Sequence, residues 1–380
     1  MEQRQIGKTG VSASILGFGC MRLPCAGGKN FGPEIEEDEA VRMIRYAIDN
    51  GVNYVDTAYP YHNGVSEVVL GKALKDGFRS KVTLADKSPV FFVQKKEDFN
   101  RFLDEQLTRL QEEHIDFYLL HALSTENLET VLKFDLIGEA ERAKKAGKIG
   151  HIGFSFHDSY PVFEQVLNAW DGWEFCQVQM NYMNEEMQAG LKGLHAAAAK
   201  GLGVVIMEPL LGGKLANPPA QVREIFGKSQ RKAEPVQWAL DYLWDISEVS
   251  VVLSGMSSMQ QTVDNVRYAQ NARAFTGSDR QVIKQAKDIF AELIAVPCTG
   301  CGYCDCPQGV SIASNFEAYN DIRLYGEDAG RGTYAAMLQW QGPGTGAENC
   351  IGCGACESKC PQKIQISAHM PSVAATFAKR

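Results

Sequence analysis

Short apolar runs alternate with amphipathic stretches along the first 270 residues of the chain. The apolar runs are rich in β-branched and aromatic residues and have the length of buried strands. They lie at 15–21, 54–58, 82–87, 115–121, 151–156, 175–181, 203–208 and 249–255. The intervening stretches repeat apolar residues at helical spacing, at 37–50, 66–76, 96–111, 135–147, 159–170, 185–200, 234–244 and 258–270. This alternation predicts parallel βαβ units.

The number of units favours one α/β architecture. Eight βα units over roughly 250 residues are typical of a (β/α)8 TIM barrel. The alternative is a doubly wound sheet, whose dinucleotide-binding form carries G-x-G-x-x-G after its first strand. Here the first strand leads into Gly17-Phe18-Gly19-Cys20-Met21-Arg22, which lacks the third glycine. We therefore predict a barrel.

Composition excludes several classes of partner. The net charge is −8, so there is no basic excess to neutralise nucleic-acid phosphates. The first ten residues are polar and contain no signal-peptide core, and no apolar run reaches membrane-spanning length. We expect a cytoplasmic protein that binds neither nucleic acid nor membrane, and the sequence leaves its oligomeric state open.

Cysteine is distributed unevenly. Eight of the 11 cysteines lie between Cys298 and Cys360, which indicates a metal-binding module attached to an ordinary globular body. We predict a barrel domain over residues 1–295 and a ferredoxin-like iron–sulfur domain over residues 296–380. Helix-like patterns at 314–325 and 333–340 predict that the second domain is mainly helical.

The cysteines form two quartets. The second has the ferredoxin spacing, in which three cysteines bind one 4Fe–4S cluster and the fourth serves its neighbour. The first quartet opens alike but has a single residue, Asp305, before its last cysteine. Two clusters are therefore predicted, with a single cluster or a zinc site as alternatives. With the fourth cysteines exchanged, the ligands are Cys298, Cys301, Cys304 and Cys360 for one cluster, and Cys350, Cys353, Cys356 and Cys306 for the other.

Ionisable residues end three consecutive strands of the predicted barrel: Asp56, Lys87 and His121. The carboxyl ends of barrel strands form the active site, and unpaired polar groups are costly to bury there. A cation held by a carboxylate would lower the pKa of a nearby tyrosine. The loop at 57–64 supplies Tyr59 and Tyr61 as candidate proton donors.

These residues resemble a known family. The run YVDTA at 54–58, then Tyr61, Lys87 and His121, is similar to the aldo-keto reductase family, in particular its bacterial branch with a C-terminal iron–sulfur domain. The resemblance implies that Tyr61 donates the proton and that Lys87 and Asp56 adjust the pKa of its phenol. His121 would orient the substrate carbonyl. Hydride would come from a nicotinamide across the barrel mouth. Tyr59 is the rival donor, but its spacing from Asp56 fits the family less well.

The resemblance and the physics of barrels also predict a cofactor site. The loops after strands seven and eight commonly bind phosphate, and Ser258 with Gln261 forms a capping-box pattern that marks a helix start. By position, Ser155 and Gln177 meet the carboxamide, Met207 replaces a stacking ring, and Asn265 approaches the adenine. The predicted cofactor-binding residues are Gly19, Cys20, Met21, Asp56, Ser155, Gln177, Met207, Pro209, Leu210, Gly212, Lys214, Gly255, Ser257, Ser258, Gln261 and Asn265.

The resemblance implies an NAD(P)-dependent oxidoreductase acting on a small-molecule carbonyl or alcohol. The cofactor is NADPH or NADH, and the absence of lysine and arginine from 255–261 favours NADH as a hypothesis. The clusters would be structural or would relay electrons to a redox partner protein. The alternative is an electron-transfer or redox-sensing protein built on a barrel scaffold.

The chain departs from the family at two positions. Asp86 precedes Lys87 where relatives usually have a small neutral residue, and strand alternation predicts that Asp86 faces the helices. Phe156 stands where a polar residue is frequent. Substrate choice is expected to depend on loops at 88–94, 123–128 and 217–232.

Overall fold

The structure, a computed structural model, describes residues 1–26, 32–298, 300, 304–360 and 362–378. Cys301, one of the predicted cluster ligands, lies outside the described residues.

Eight parallel strands close into a barrel, which confirms the predicted (β/α)8 fold. Their order around the barrel is β10-β3-β4-β5-β6-β7-β8-β9. The bounds are β3 Leu16–Gly19, β4 Tyr54–Asp56, β5 Thr83–Ser88, β6 Ile115–Leu123, β7 Ile149–Phe156, β8 Phe175–Gln179, β9 Gly203–Met207 and β10 Val249–Gly255. Each lies within or overlaps one of the eight predicted runs.

An N-terminal hairpin precedes the barrel, formed by β1 (Gln3–Gln5) and β2 (Ser12–Ser14). The strands are antiparallel, with Gln3 opposite Ser14. The guanidinium of Arg4 donates to the carbonyl oxygens of Trp244, Ile246 and Val249. The polar N-terminus is therefore an ordered part of the barrel, which its composition alone did not predict.

Fourteen α-helices occur in the described residues. Their bounds are α1 Glu37–Asp49, α2 Val65–Ala73, α3 Asp98–Leu110, α4 Thr125–Lys133, α5 Leu136–Lys145, α6 Tyr160–Ala169, α7 Gly190–Ala199, α8 Ala220–Lys228, α9 Pro235–Trp244, α10 Met259–Gln270, α11 Gly277–Leu293, α12 Ile312–Tyr325, α13 Glu327–Gln341 and α14 Ile366–Phe377. None of them is long and apolar enough to cross a membrane. Gly147 and Gly201 follow α5 and α7 with positive φ, as expected of helix-ending glycines.

Two of these helices lie in stretches that were expected to be loops. α4 begins inside 123–128 and α8 inside 217–232, and each is only nine residues long. Ser124 caps α4, since its side chain accepts the N–H of Asn127. These two helices were not predicted from the sequence.

The barrel interior changes character along its axis. Tyr54, Phe117, Phe175 and Val251 are fully buried and belong to one apolar cluster inside the barrel. Gly17 is required beside this cluster, because a Cβ there would lie 2.6 Å from the side chain of Leu253. Toward the carboxyl ends of the strands, the buried side chains become polar. That end therefore holds the candidate site.

The chain divides into two compact units. The first comprises 1–212 and 236–275, and the second comprises 213–235 and 276–380. Helices α12, α13 and α14 belong to the second unit, so the C-terminal region is helical as predicted. The boundary after residue 295, where we place the start of the ferredoxin-like domain, stays a prediction.

Glu174, which directly precedes β8, is a carboxyl with several hydrogen-bond donors around it. It accepts bonds from His151 (2.6 Å), Lys144 (2.5 Å) and the backbone N–H of Ile152 (3.1 Å). Burial alone would raise the pKa of Glu174, but these three partners lower it to about 2. The ionised form is thus favoured by folding, and its contribution to stability is present above the unfolded pKa of about 4.3 and lost as the pH falls toward 2.

Replacing Glu174 should therefore destabilise the protein in a pH-dependent way. We expect Glu174→Gln to reduce the free energy of unfolding by about 2 kcal/mol at neutral pH, and the difference from wild type to shrink with acidification. Denaturant unfolding at several pH values measures this. Glu224→Gln is the control, since the exposed pair with Lys228 contributes little. A Glu174→Gln deficit that does not change between neutral and acid pH would contradict the assignment.

Candidate active site

Lys87 is the centre of the polar cluster at the barrel mouth. It lies near the end of β5 with only 1% of its surface exposed. Its Nζ donates to Asp56 Oδ1 at 2.5 Å and to the carbonyl oxygen of Thr57 at 2.7 Å. Burial would lower the pKa of Lys87, but Asp56 reverses this and holds it above its usual value. The ammonium group therefore stays charged inside the protein.

Asp56 ends the neighbouring strand β4 and is equally buried. Burial raises the pKa of its carboxyl, and the bond from Lys87 opposes that shift. The two side chains meet because β4 and β5 pair in parallel register, with Asp56 opposite Ala85. The structure thus brings together the first two predicted residues.

Tyr61 lies in a short helical turn after β4 and reaches the same cation. The Nζ of Lys87 lies 5.0 Å from the centroid of its ring. We expected the cation to lower the pKa of this phenol. Burial instead outweighs the effect of Lys87, so that the pKa of Tyr61 lies above its ordinary value. The phenol is therefore protonated at neutral pH, which suits a proton donor.

Tyr59, the rival donor, points to a different neighbour. Its hydroxyl donates to Glu105 Oε2 of α3 at 2.6 Å, and the guanidinium of Arg109 lies 4.2 Å from its ring centroid. These contacts hold Tyr59 against α3. Of the two tyrosines, it is Tyr61 whose ring lies beside the ammonium group of Lys87.

His121 completes the group that the sequence singled out. Its ring centroid lies 6.1 Å from that of Tyr61, at an interplanar angle of 80°. The next residue, Ala122, has φ of +55°, and the pairing of β6 with β7 is irregular between Leu120 and Leu123. This irregularity turns the strand where His121 meets the mouth. Burial, Lys87 and His157 lower the pKa of His121 well below its usual value, so the ring is neutral.

His157 was not among the predicted site residues. It follows β7 directly and acts electrostatically on His121. Its position in the sequence could have indicated it, because His157 follows the strand end at 155–156, where relatives often have a polar pair.

The predicted carboxamide contacts lie on adjacent strands, with Ser155 opposite Gln177. The Oγ of Ser155 accepts the N–H of Ala122 at 2.8 Å. The Nε2 of Gln177 lies 3.8 Å from Met207 Sδ, while its Oε1 is buried and has no hydrogen-bond partner among the described residues. A buried amide oxygen without a donor fits a ligand that brings one, such as a carboxamide.

The residues after the first barrel strand are also close to the mouth. Gly19 lies opposite Gly255 of β10, Cys20 is fully buried, and Met21 is 43% exposed. Burial and nearby Asp56 raise the pKa of Cys20, which makes its thiol unreactive. Asn265 is buried as well, and its Nδ2 donates to Ser254 Oγ at 2.9 Å.

Arg22 is a cation that the sequence analysis overlooked. A Cβ on Gly212 would lie 3.6 Å from Arg22 Nη2, and one on Gly255 would lie 3.3 Å from Arg22 Cβ. The side chain of Arg22 therefore lies along the loop ends after both β9 and β10. The signal in the sequence was its position, one residue after Met21.

Helix α10 begins where the capping pattern predicted. Ser258 Oγ accepts the N–H of Gln261 at 3.3 Å. The reciprocal bond is shifted by one residue, because Gln261 Oε1 accepts the N–H of Ser257 instead of that of Ser258. A cavity of about 580 Å³ lies beside these serines, and its other walls carry Arg42 and the carboxylates at 36–39. The helix start and this acidic cavity are neighbours.

Lys214, predicted to supply phosphate charge, already has anionic partners. Within the second unit, its Nζ lies 2.7 Å from Asp321 Oδ2 and 3.0 Å from Glu317 Oε1. Burial would lower the pKa of Lys214, and the two carboxylates raise it above its usual value. Its phosphate-binding role stays a prediction, in competition with these ion pairs.

The cysteines of the second unit gather around one apolar cluster. Its core includes Cys356 and Cys360 with Val296, Phe316 and Met370, and four further cysteines pack against it: Cys298, Cys304, Cys306 and Cys350. Cys353 is exposed. Within the described part of the chain, which omits Cys301, no three His, Cys, Asp or Glu side chains surround a single metal ion.

Two polar contacts organise this module. Asn320 of α12 bonds the backbone N–H groups of Ala295 and Val296 and the carbonyl of Val296, just before the first quartet. Asp305, the single residue between the last two cysteines of that quartet, pairs with Lys359 at 2.8 Å. The shortened spacer thus contacts the other quartet directly. A thiol-rich, apolar surface of this kind suits iron–sulfur ligation.

Comparison with known proteins identifies the class of this barrel. Residues 16–288 match the aldo/keto reductase family, and residues 297–364 match a 4Fe-4S dicluster domain. The chain therefore belongs to the aldo/keto reductase family, a family of oxidoreductases, and carries a C-terminal 4Fe–4S domain.

Individual relatives agree with this assignment. L-galactose dehydrogenase of Arabidopsis thaliana is 29% identical over 76% of this chain and 94% of its own length. An uncharacterised oxidoreductase of Bacillus subtilis is 31% identical over 57% of this chain and 68% of its own. The holo form of an aldo-keto reductase from Bacillus halodurans superposes with a TM-score of 0.63 at 25% identity, over 75% of this chain and 96% of that one.

Proposed function

We propose that the protein is an NAD(P)-dependent oxidoreductase that interconverts a small-molecule carbonyl and the corresponding alcohol. The observation that carries the proposal is the contact of Tyr61 with a fully buried, ion-paired Lys87. The relative from Arabidopsis thaliana is named as a dehydrogenase, which is the same class of reaction. An intact group of four polar residues argues against a barrel retained only as a scaffold for redox sensing.

Proton transfer is the step that this chain's own residues perform. The bound nicotinamide supplies or accepts the hydride. In reduction, the phenol of Tyr61 donates its proton to the carbonyl oxygen, and the phenolate that remains is stabilised by Lys87. Asp56 keeps the cation in place. Neutral His121 can donate a hydrogen bond to the same oxygen and so orient the substrate. In oxidation, the phenolate accepts the proton.

The described residues fit a nicotinamide dinucleotide. Gln177 Oε1 would accept a hydrogen bond from the carboxamide, and Arg22 together with the N–H groups at the start of α10 would attract the phosphates. The carboxylates at 36–39 face the cavity beside Ser257 and Ser258. Carboxylates accept hydrogen bonds from ribose hydroxyls and repel a 2′-phosphate, as in other NAD sites. We therefore propose NADH as the preferred cofactor.

For the C-terminal domain we propose two 4Fe–4S clusters with the exchanged fourth ligands. The clusters, when bound, would transfer electrons or stabilise the domain's fold. The cysteine thiolates lie against an apolar surface, where a buried negative charge needs a counter-charge. Bound iron would supply that counter-charge. A reducing cytoplasmic compartment and a redox partner protein are consistent with this proposal.

Removing the phenolic hydroxyl tests the assigned acid. We expect Tyr61→Phe to lower kcat for carbonyl reduction roughly 10²–10⁴-fold while leaving the cofactor Kd nearly unchanged. Tyr59→Phe is the matched control and should retain its rate, because that hydroxyl is bonded to Glu105. Steady-state rates and cofactor fluorescence titration measure both quantities. Equal losses in the two variants would reject Tyr61 as the donor.

Cofactor choice can be measured without turnover. NADH should bind more tightly than NADPH. The double variant Glu36→Gln, Asp38→Asn should reduce the ratio between the two dissociation constants. Arg22→Gln should weaken both cofactors by a similar factor, on the order of tenfold, since it removes a contact to phosphates that both share. Titration of the protein with each nucleotide gives the dissociation constants. A large preference for NADPH in the wild type would contradict the proposal.

Metal content tests the cluster assignment. Anaerobically purified protein should contain about eight irons and about eight acid-labile sulfides per chain. Cys350→Ser should lose about half of each, whereas Cys176→Ser, which alters a buried barrel cysteine, should lose none. About four irons would indicate a single cluster. Zinc without sulfide would overturn the iron–sulfur assignment.

A further inference from the structure

Two carboxyl groups meet inside the protein directly behind Lys87. Asp86 of β5 and Glu67 of α2 are both fully buried, and Glu67 acts electrostatically on Asp86. Asp86 Oδ2 and Glu67 Oε1 are buried and have no hydrogen-bond donor among the described residues. A proton on one of these two oxygens would supply the donor that both of them lack.

The other oxygens of the pair are already bonded to donors. Asp86 Oδ1 accepts the backbone N–H of Lys87 at 2.8 Å. Glu67 Oε2 accepts from Arg109 Nη1 at 2.8 Å. One oxygen of each carboxyl is therefore left without a donor among the described residues. Glu67 is balanced by Arg109, so a proton on Asp86 leaves this region without excess charge.

Groups from every neighbouring element act on Asp86. They are Glu67 from α2, Arg109 through Glu67 from α3, Tyr118 from β6, and Lys87, Tyr61 and Cys20 toward the barrel interior. The nearest carboxylate and the loss of solvent both favour the neutral acid. Only Lys87 opposes it, and Asp56 already pairs with that cation.

We propose that Asp86 is a neutral carboxylic acid in the working enzyme, that it shares its proton with Glu67, and that it positions Lys87 through the backbone. Burial and Glu67 raise the pKa of Asp86 well above its usual value, in agreement with the geometry. The backbone of Lys87 is held on both sides, because Gln106 Nε2 also donates to its carbonyl oxygen at 3.1 Å. Gln106 is fixed in turn by the hydroxyl of Tyr118 at 2.6 Å.

A neutral Asp86 has a consequence for the site. An ionised Asp86 would add a second negative charge beside Lys87 and raise the pKa of Tyr61 further. Because Asp86 is neutral, the positive charge of Lys87 acts only on Asp56 and Tyr61. This positioning role rests on the proposed function, whereas the shared proton does not.

Infrared difference spectroscopy tests the proton directly on the full-length protein with its clusters. At about pH 8, above ordinary carboxyl pKa values of about 4, wild type minus Asp86→Asn should show the C=O stretch of a protonated acid. Asp98→Asn is the matched control. Asp98 is also buried but accepts the N–H groups of Gln94 and Lys95, so its difference spectrum should show ionised carboxylate. A carboxylate signal alone for Asp86→Asn would overturn the proposal.

The pH profile of carbonyl reduction tests the link to Tyr61. If Asp86 is neutral, Asp86→Asn exchanges one neutral group for another, and the alkaline limb stays at the wild-type pH. If Asp86 is an anion, the same change lowers the pKa of Tyr61 and moves the limb to lower pH, which would overturn the proposal. If Tyr61 is not the acid, the proposed function fails while the infrared experiment still decides the shared proton.

Positioning is tested by comparing two substitutions. Asp86→Ala removes the acceptor for the Lys87 N–H, and kcat should fall about tenfold relative to Asp86→Asn, with KM for the cofactor little changed. The amide of Asp86→Asn keeps that acceptor and can still donate to Glu67. Equal kcat values for the two variants would show that Asp86 does not position Lys87.

Discussion

The buried ion pair of Lys87 and Asp56 is the interaction on which the rest of the site depends. Removing an ammonium group from water costs several kcal/mol, and an opposite charge in good geometry must offset that cost. Parallel register between β4 and β5 supplies the geometry, since Asp56 lies beside the strand segment that carries Lys87. Without the pair, neither the charge of Lys87 nor its contact with Tyr61 would persist at full burial.

The alternation of β5 separates two charge systems by a single residue. Lys87 faces the barrel mouth with Asp56 and Tyr61, while Asp86 faces the helices with Glu67. Each side is balanced by its own partners, so neither leaves an unpaired charge in the interior. The chain can therefore place an unusual carboxyl next to its buried cation without neutralising that cation.

Much of the fold could be predicted from sequence because it follows from local periods. Eight apolar runs gave the barrel strands, and Ser258 marked the start of α10. The cluster of Asp56, Tyr61, Lys87 and His121 was also foreseeable, since the carboxyl ends of barrel strands converge. The pKa of Tyr61 was not, because it depends on how much burial surrounds the phenol, and a sequence does not contain that quantity.

The role of a charged residue in a loop is harder to predict from the sequence than that of a charged residue at the end of a strand. Lys214 follows two glycines after β9 and has the appearance of a phosphate-binding lysine, yet its ammonium is bonded to Asp321. That partner lies more than a hundred residues further along the chain, and only the fold of the second unit brings it near. Arg22, by contrast, carries no motif but lies against Gly212 and Gly255. Which cation is already paired within the protein is thus decided by the placement of distant acids, and a local motif is insufficient evidence for a phosphate-binding role.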